Sequence, residues 1–139
     1  MRLITDGDVA GVIHTANPVE TGVDIYLGIG GAPEGVLAAA ALRCIGGQMQ
    51  GRLILDTDEK RKRAETMGVT DPRRKFGMAD MVRGDCLFAA TGVTDGSMLR
   101  GVRFGRETIE TETVVMRSAT GTVRWIRAEH REIEKFHLR

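Results

Sequence analysis

Two acidic turns are the places in this chain where residue type and spacing suggest chemistry. The first is Asp6-Gly7-Asp8, and the second is the glycine-rich loop at residues 28–35, which contains Glu34. Carboxylates held close together repel one another unless a cation or sugar hydroxyls satisfy them. Magnesium is typically held by one or two carboxylates together with water and substrate phosphate. The two turns therefore predict a site for a cation or an oxygen-rich ligand, provided that the fold brings them together.

Each acidic turn also has a purely structural interpretation. Asp8 can cap a helix that begins just after it, since a short carboxylate accepts hydrogen bonds from the first free N–H groups. Glu34 can be a carboxylate of a first helical turn, which the helix dipole favours. The residues alone leave the structural and the functional interpretations open.

The glycine-rich loop matches neither of the common phosphate-binding motifs. If Gly-x-Gly-x-x-Gly is counted from Gly28, its last glycine falls on Pro33, and no Gly-Lys-Ser/Thr follows the loop. A nucleotide site is therefore disfavoured. Backbone N–H groups at a helix start can still hold an anion or an oxygen-rich ligand.

The other reactive residue types show no catalytic or metal-binding pattern. Cys44 and Cys86 fall within apolar stretches, which predicts small buried residues rather than a zinc site. The three histidines lack ligand spacing, and neither Ser97 nor Ser118 stands in a nucleophile motif.

Length and composition limit the class of protein. The chain has 139 residues and a mass of 15.2 kDa, so we expect a single domain or part of one. The net charge of +1 disfavours a protein that binds nucleic acid through its charge. No apolar run is long enough to span a membrane, and the first residues lack a signal layout, so we expect a cytoplasmic protein.

The first third of the chain alternates strand-like and helix-like patterns. Strands are predicted at residues 2–5, 23–27 and 49–55, and helices at residues 9–16 and 36–45. This order is typical of layered α/β folds. If the first two strands are parallel neighbours, both acidic turns lie at the carboxyl ends of the strands, where ligands collect in such folds.

The remaining residues predict two helices followed by a β-rich region. A charged helix is predicted at residues 58–66. We interpret its charged side chains as a solvent-exposed surface, and the alternative is a patch that contacts phosphate. A short amphipathic helix at residues 75–82 and a buried strand at residues 86–93 follow. Strands at residues 102–104, 108–117 and 122–128 then predict a largely antiparallel region, with a hairpin connection at residues 119–121.

Several of these motifs resemble those of one enzyme family. The segment DGDVA at residues 6–10, the loop GIGGAPEG at 28–35, the segment FAATGVT at 88–94 and the threonine-rich stretch at 108–113 resemble class II (GlpX-type) fructose-1,6-bisphosphatase. The resemblance covers essentially the whole chain. It covers only the C-terminal portion, somewhat under half, of a typical family member.

This resemblance implies a metal-dependent phosphomonoesterase. Such an enzyme removes the 1-phosphate of fructose 1,6-bisphosphate to give fructose 6-phosphate in gluconeogenesis, with Mn²⁺ or Mg²⁺ as cofactor, and some relatives also accept sedoheptulose 1,7-bisphosphate. The implied fold is the second part of a layered αβαβα fold like that of the lithium-sensitive sugar phosphatases. In that fold a parallel or mixed sheet comes first, and antiparallel strands follow towards the C-terminus.

The resemblance also implies roles for individual residues. Asp6, Gly7 and Asp8 match the motif that binds the sugar, Gly31 matches a backbone contact to substrate, and Glu34 matches a metal ligand. The family's other metal-binding acids, its catalytic threonine and its main phosphate-contacting basic residues belong to an N-terminal half that this sequence does not contain.

We therefore expect residues 1–139 to be the C-terminal portion of such an enzyme, inactive alone and carrying part of the site. The alternative is a non-catalytic fragment that binds sugar phosphates, or a subunit that needs a separate N-terminal partner. Homo-oligomer formation is also expected, because a part of a layered fold should leave apolar surface uncovered.

Overall fold

Five helices and six strands make up the part of the chain that the structure describes. The computed structural model describes residue 1, residues 3–4 and residues 8–131, apart from the side chain of Asp8. The elements in chain order are α1 (Asp8–His14), α2 (Pro18–Thr21), α3 (Ala32–Ile45), β1 (Gln50–Gly51), α4 (Asp58–Thr66), β2 (Phe76–Gly77), α5 (Met78–Met81), β3 (Leu87–Thr91), β4 (Arg103–Phe104), β5 (Ile109–Arg117), a 3₁₀ turn (Ser118–Thr120) and β6 (Thr122–His130).

The larger sheet is antiparallel and is centred on β5. One edge of β5 pairs with β3 and β4, while its other edge pairs with β6 over its full length. The β5–β6 hairpin turns through the 3₁₀ segment, and Gly121 there adopts a left-handed φ of 59°. These elements confirm the antiparallel region that the sequence predicts for the C-terminal part.

The core forms where α3 packs on this sheet. Ala41 and Cys44 of the helix lie in one buried cluster with Phe88 of β3 and with Val114 and Met116 of β5. Val114 and Met116 both face the helix because alternate residues of a strand lie on the same side of the sheet. Helix α1 packs on α3, and its Ile13 belongs to the same buried cluster.

Helix α3 ends where the sequence predicts, but it begins at Ala32, four residues before the predicted start at residue 36. Pro33 lies in its first turn, and Gly46 ends it with a left-handed φ of 84° and a hydrogen bond to the carbonyl of Leu42. The helix has 14 residues. Among the helices of the described ranges, none is both long enough and apolar enough to cross a membrane.

The charged helix α4 is solvated, as the sequence predicts. The hydroxyl of Thr57 accepts a hydrogen bond from the backbone N–H of Lys60 at 3.3 Å and so caps the helix. Lys60 also pairs with Asp56 at 2.7 Å, and of the residues in α4 only Ala64 is buried.

The prediction of a parallel or mixed sheet in the first part is wrong for the described residues. Residues 23–27 form no strand, and of the strand predicted at residues 49–55 only Gln50–Gly51 pairs, antiparallel with β2. Of the strand predicted at residues 2–5, Leu3 and Ile4 are in no strand, and the other two residues lie outside the described ranges. A strand needs a neighbour to accept its backbone hydrogen bonds. These segments find none among the described residues.

Two shorter predictions also need correction. The helix expected over residues 75–82 is reduced to α5, because Phe76 and Gly77 pair with β1 instead. Helix α1 starts at Asp8 itself, so Asp8 is the first helical residue rather than the residue before the helix.

The loop between β3 and β4 depends on the close approach of two backbone segments. Gly92 donates a hydrogen bond from its N–H to the carbonyl of Glu112 at 3.0 Å. A Cβ atom built on Gly92 would lie 2.1 Å from the carbonyl oxygen of Arg100, which is far inside van der Waals contact. Only glycine fits at this position without a shift of the loop.

We predict that Gly92→Ala destabilises the fold by about 1–3 kcal/mol, because the new methyl group overlaps backbone atoms that have little freedom to move. Gly96→Ala, in the same loop, is the matched control, since the nearest atom to its built Cβ is 3.7 Å away. Urea unfolding of both variants measures the difference. Equal free energies of unfolding for the two variants would contradict the close approach.

The two cysteines are in contact between α3 and the start of β3. Their Sγ atoms are 3.8 Å apart, and the thiol of Cys86 also lies 3.6 Å from the carbonyl oxygen of Ala40. Both cysteines are free thiols, and Cys44 is buried. Burial, followed by the hydrogen bond and the electrostatic interaction with Cys86, raises the pKa of Cys44 to about 11. The structure confirms the predicted burial of Cys44, whereas Cys86 is half-buried.

We predict that Cys44 resists alkylation in the folded chain. Because its pKa is raised from 9.0 to about 11, the reactive thiolate is about 100-fold scarcer at pH 8 than in the unfolded chain. Iodoacetamide labelling of the unchanged chain with and without urea, followed by peptide mass spectrometry, measures the rate at Cys44 separately from that at Cys86, which lies on a different peptide. Labelling at the same rate in both conditions would refute the prediction.

Candidate functional site

The second acidic turn places Glu34 in the first turn of α3, at the surface. Gly31 precedes the helix with φ −68° and ψ 149°, and its carbonyl accepts a hydrogen bond from the N–H of Gly35 at 3.0 Å. The carboxylate of Glu34 folds back over Gly31, because a Cβ built on Gly31 would lie 2.1 Å from Glu34 Oε2. The missing side chain at Gly31 is thus what leaves room for the carboxylate.

The charge of Glu34 is open to a ligand. In the described part of the chain, each ion pair joins other residues, so no basic side chain neutralises this carboxylate. The first N–H groups of a helix lack partners within the helix, and they favour negative charge nearby. An exposed carboxylate beside free N–H groups can accept hydrogen bonds from the hydroxyl groups of a ligand. It can also act as one of the oxygen ligands of a cation.

The first acidic turn is described only in part. Asp6 and Gly7 lie outside the described residues, and so does the side chain of Asp8. The backbone of Asp8 begins α1, and α1 packs against α3, the helix that carries Glu34. The shared cleft of Asp8 and Glu34 therefore stays a prediction.

A second contact links α1 to the segment that leads into the glycine-rich loop. The ring of Tyr26 lies against Gly11 of α1, where a built Cβ would be 2.9 Å from Tyr26 Cε2. The helix that follows the first acidic turn and the chain that enters the second are thus held together.

The described residues do not form a complete metal centre. Across residues 8–131 and the few described before them, no three His, Cys, Asp or Glu side chains come together as a group that could hold a metal ion. Magnesium prefers near-octahedral oxygen coordination. Glu34 supplies only one of the ligands that such a site requires, so a bound metal would need donors from outside the described residues.

The structure reveals a charged cluster at an open depression on the β-sheet that the sequence analysis does not identify. Arg103 Nη2 donates hydrogen bonds to both carboxylate oxygens of Asp95, at 2.8 and 2.7 Å. Arg127 Nη2 donates to Glu110 Oε2 at 2.5 Å. The carboxylate of Glu112 accepts a hydrogen bond from the backbone N–H of Arg100 at 2.6 Å, and both residues line the depression.

These contacts indicate a structural role for the cluster. The hydrogen bond from Arg103, followed by one from the N–H of Gly101, holds the pKa of Asp95 below its usual range. Glu110, by hydrogen bond and then by charge, raises the pKa of Arg127. The pair of Asp95 and Arg103 joins the β3–β4 loop to β4, the N–H of Arg100 joins the same loop to Glu112 of β5, and the pair of Arg127 and Glu110 joins β6 to β5. The register of the paired strands determines which charged side chains come into contact. That register cannot be read from a local sequence pattern.

Comparisons with known proteins identify one family whose model matches this chain and several similar proteins. A model of the family described as bacterial fructose-1,6-bisphosphatase, glpX-encoded, matches residues 1–130. Proteins of two Synechococcus strains, JA-3-3Ab and JA-2-3B'a(2-13), are each 41% identical to this chain over 143 aligned residues. A protein of Microcystis aeruginosa NIES-843 is 39% identical over the same length.

These three relatives share one name and are much longer than this chain. Each is named D-fructose 1,6-bisphosphatase class 2/sedoheptulose 1,7-bisphosphatase. The matched region covers 94% of this chain but 41% of each relative. The chain thus spans about two fifths of the length of the curated relatives it matches.

We predict that Gly31→Ala displaces the Glu34 carboxylate without unfolding the chain. The backbone angles of Gly31 suit alanine, so the built Cβ meets only the mobile end of the Glu34 side chain. Gly35→Ala is the matched control, because its built Cβ has its nearest contact 3.9 Å away, at Met49.

The measurement for this pair is the ¹³C chemical shift of the Glu34 side-chain carboxyl group, together with the melting temperature. The shift should move in Gly31→Ala and stay near the wild-type value in Gly35→Ala, while both variants remain folded. An unchanged shift in Gly31→Ala would mean that the carboxylate does not lie over Gly31.

Proposed function

Because this chain belongs to the family of bacterial glpX-encoded fructose-1,6-bisphosphatases, we propose that it carries part of a sugar-bisphosphatase active site. The reaction is hydrolysis of the 1-phosphate of fructose 1,6-bisphosphate, which gives fructose 6-phosphate and inorganic phosphate. The observation that carries the proposal is the exposed, unneutralised carboxylate of Glu34 folded over Gly31. These are two of the positions at which the sequence matches the family's binding motifs.

The proposed roles follow from what each group offers chemically. Asp6 and Asp8 would accept hydrogen bonds from the sugar hydroxyls, with Gly7 allowing the chain to turn between them. Gly31 would contact the substrate through its backbone, which the lack of a side chain leaves accessible. Glu34 would contribute one carboxylate to the cation, Mn²⁺ or Mg²⁺, that the family resemblance implies.

The proposed site is incomplete on this chain. One carboxylate among the described residues is too few for a divalent cation of this kind. The remaining ligands, and the groups that activate water, would come from the three fifths of the relatives that have no counterpart here. We therefore propose that residues 1–139 are the C-terminal portion of the enzyme and are inactive alone.

We propose four further properties of the completed protein. It would adopt the layered fold of the lithium-sensitive sugar phosphatases, form a homo-oligomer and act in the cytoplasm. Because the relatives' shared name includes sedoheptulose 1,7-bisphosphatase, sedoheptulose 1,7-bisphosphate is the second substrate to test.

We predict that the chain alone releases no phosphate from fructose 1,6-bisphosphate above a protein-free blank. When it is co-expressed with the N-terminal portion of the Synechococcus JA-3-3Ab relative, release should appear and require Mn²⁺ or Mg²⁺. In that completed enzyme Glu34→Gln should lower turnover by about 100-fold, because the shape is kept and the charge that neutralises the cation is lost.

Glu59→Gln is the matched control for this assay, since Glu59 is also an exposed glutamate in the first turn of a helix, α4. It should leave turnover unchanged. Robust turnover by the chain alone, or full activity in Glu34→Gln, would refute the proposed site. Binding of fructose 1,6-bisphosphate without turnover in the completed protein would favour the alternative, a sugar-phosphate-binding module without catalysis.

A further inference from the structure

The two cysteines form a thiol pair that the proposed active site does not use. Cys44 lies in the last turn of α3, and Cys86 directly precedes β3. The two residues are 42 positions apart in the sequence, yet their Sγ atoms are only 3.8 Å apart. At that distance the two sulfur atoms are in contact, so the fold brings two reactive groups together from distant parts of the chain.

The backbone on both sides of this thiol pair is held in place. Arg43 donates a hydrogen bond from Nε to the carbonyl oxygen of Gly84 at 2.8 Å, which is a second link between the end of α3 and the segment before β3. The N–H of Cys86 donates to the hydroxyl of Ser118 at 2.8 Å, and the carbonyl of Cys86 accepts from the N–H of Ser118 at 3.0 Å. The contact between the thiols is therefore a property of the fold.

A disulfide bond between these cysteines needs a movement of the sulfur atoms alone. The S–S distance in a disulfide is about 2.05 Å, so the two Sγ atoms would have to approach one another by about 1.8 Å. Each Sγ atom can move by rotation about its own Cα–Cβ bond while the backbone stays in place.

The two thiols differ in their access to a reagent in solution. Cys44 is buried, and its raised pKa, caused first by burial, leaves little of the reactive thiolate. Cys86 is half-buried and lies between two exposed residues, Asp85 and Leu87. An oxidant from solution therefore reaches Cys86 first, and the reactive group that Cys44 contacts is the Cys86 thiol itself.

We propose that Cys44 and Cys86 are a redox-active pair, which a low-molecular-weight disulfide such as glutathione disulfide converts to a reversible disulfide between α3 and the start of β3. The Cys86 thiolate attacks one sulfur of the oxidant, forms a mixed disulfide and releases one thiolate. Cys44 then loses its proton, and its thiolate attacks the Cys86 sulfur and displaces the second thiolate. Two protein thiols and one oxidant disulfide thus become one protein disulfide and two free thiols.

This bond would change the stability of the helix that carries Glu34. A link between residues 44 and 86 restricts the unfolded chain and so favours the folded one. It would also tie the end of α3 to β3, next to the existing contact of Arg43 with Gly84. In the cytoplasm, the compartment proposed above, disulfides are usually transient, so reversal by a dithiol is part of the proposal. The proposal does not depend on the phosphatase function.

The test equilibrates the folded chain with mixtures of reduced glutathione and glutathione disulfide and stops the exchange with acid. Mass spectrometry of the intact chain should show the loss of two hydrogen atoms, and a non-reducing tryptic digest should link peptide 44–52 to peptide 84–100. Dithiothreitol should restore the reduced mass. The equilibrium constant for disulfide formation should be about 10-fold or more larger for the folded chain than for the chain in urea, because folding holds the thiols in contact.

A Cys44→Ala variant and a Cys86→Ala variant separate the roles of the two thiols, after circular dichroism has checked that each is folded. The Cys44→Ala variant should accumulate a lasting glutathione adduct on Cys86, because the thiol that displaces glutathione is absent. The Cys86→Ala variant should accumulate little adduct, because Cys44 is buried. The measurement on the unchanged chain stands without either variant.

The melting temperature provides a second, independent measurement. The oxidised chain should melt about 5 °C or more above the reduced chain, because the new bond restricts the unfolded state. A lower melting temperature would mean that the bond forms only by distorting the fold, and it would overturn the proposal. So would the absence of the bond in the folded chain, an equilibrium constant no larger than in urea, or disulfide-linked dimers in place of the internal bond.

Discussion

The close packing of α3 on the four-stranded sheet is the contact on which the rest of the structure depends. The helix contributes two small side chains, Ala41 and Cys44, to the buried cluster that it shares with β3 and β5. Ala38, Ala39 and Leu42 of the same helix are also almost fully buried. Because interiors are packed as densely as crystals, a larger residue at Ala41 would push the helix off the sheet.

That contact also determines where the candidate site lies. The second half of α3 is buried in the core, whereas its first turn, with Glu34, lies at the surface. Helix α1 packs on the same helix, and Tyr26 fastens the incoming chain to α1. Gly31, over which the Glu34 carboxylate folds, is therefore held between two anchored elements.

Elements that depend on nearby residues could be predicted from the sequence. The end of α3 follows from Gly46, and the cap of α4 follows from Thr57. Residues 23–27 and 52–55 are also predicted as strand, and their side chains suit a strand equally well, but the structure assigns them to none. A strand, however, is completed by a partner, and the chain's own pattern does not say whether that partner is present.

The same distinction applies to the functional residues. The position of Glu34 at a helix start is a local property, and the structure places it there. The contacts of Arg103 with Asp95 and of Arg127 with Glu110 depend on how distant segments align, and periodicity contains no information on that alignment. The convergence of Asp8 with Glu34 is a tertiary property of the same kind, and it stays a prediction.

The pairing of β5 along both edges has a consequence for the order of folding. Its partner β6 follows after a turn of a few residues, whereas β3 lies some twenty residues earlier and α3 earlier still. Closing a short loop loses less chain entropy than closing a long one, so contacts that are local in sequence form faster. The β5–β6 hairpin is therefore expected to form first and to act as the template on which β3, and then α3, assemble. The helix that carries Glu34 would reach its final position only in the last, slowest step.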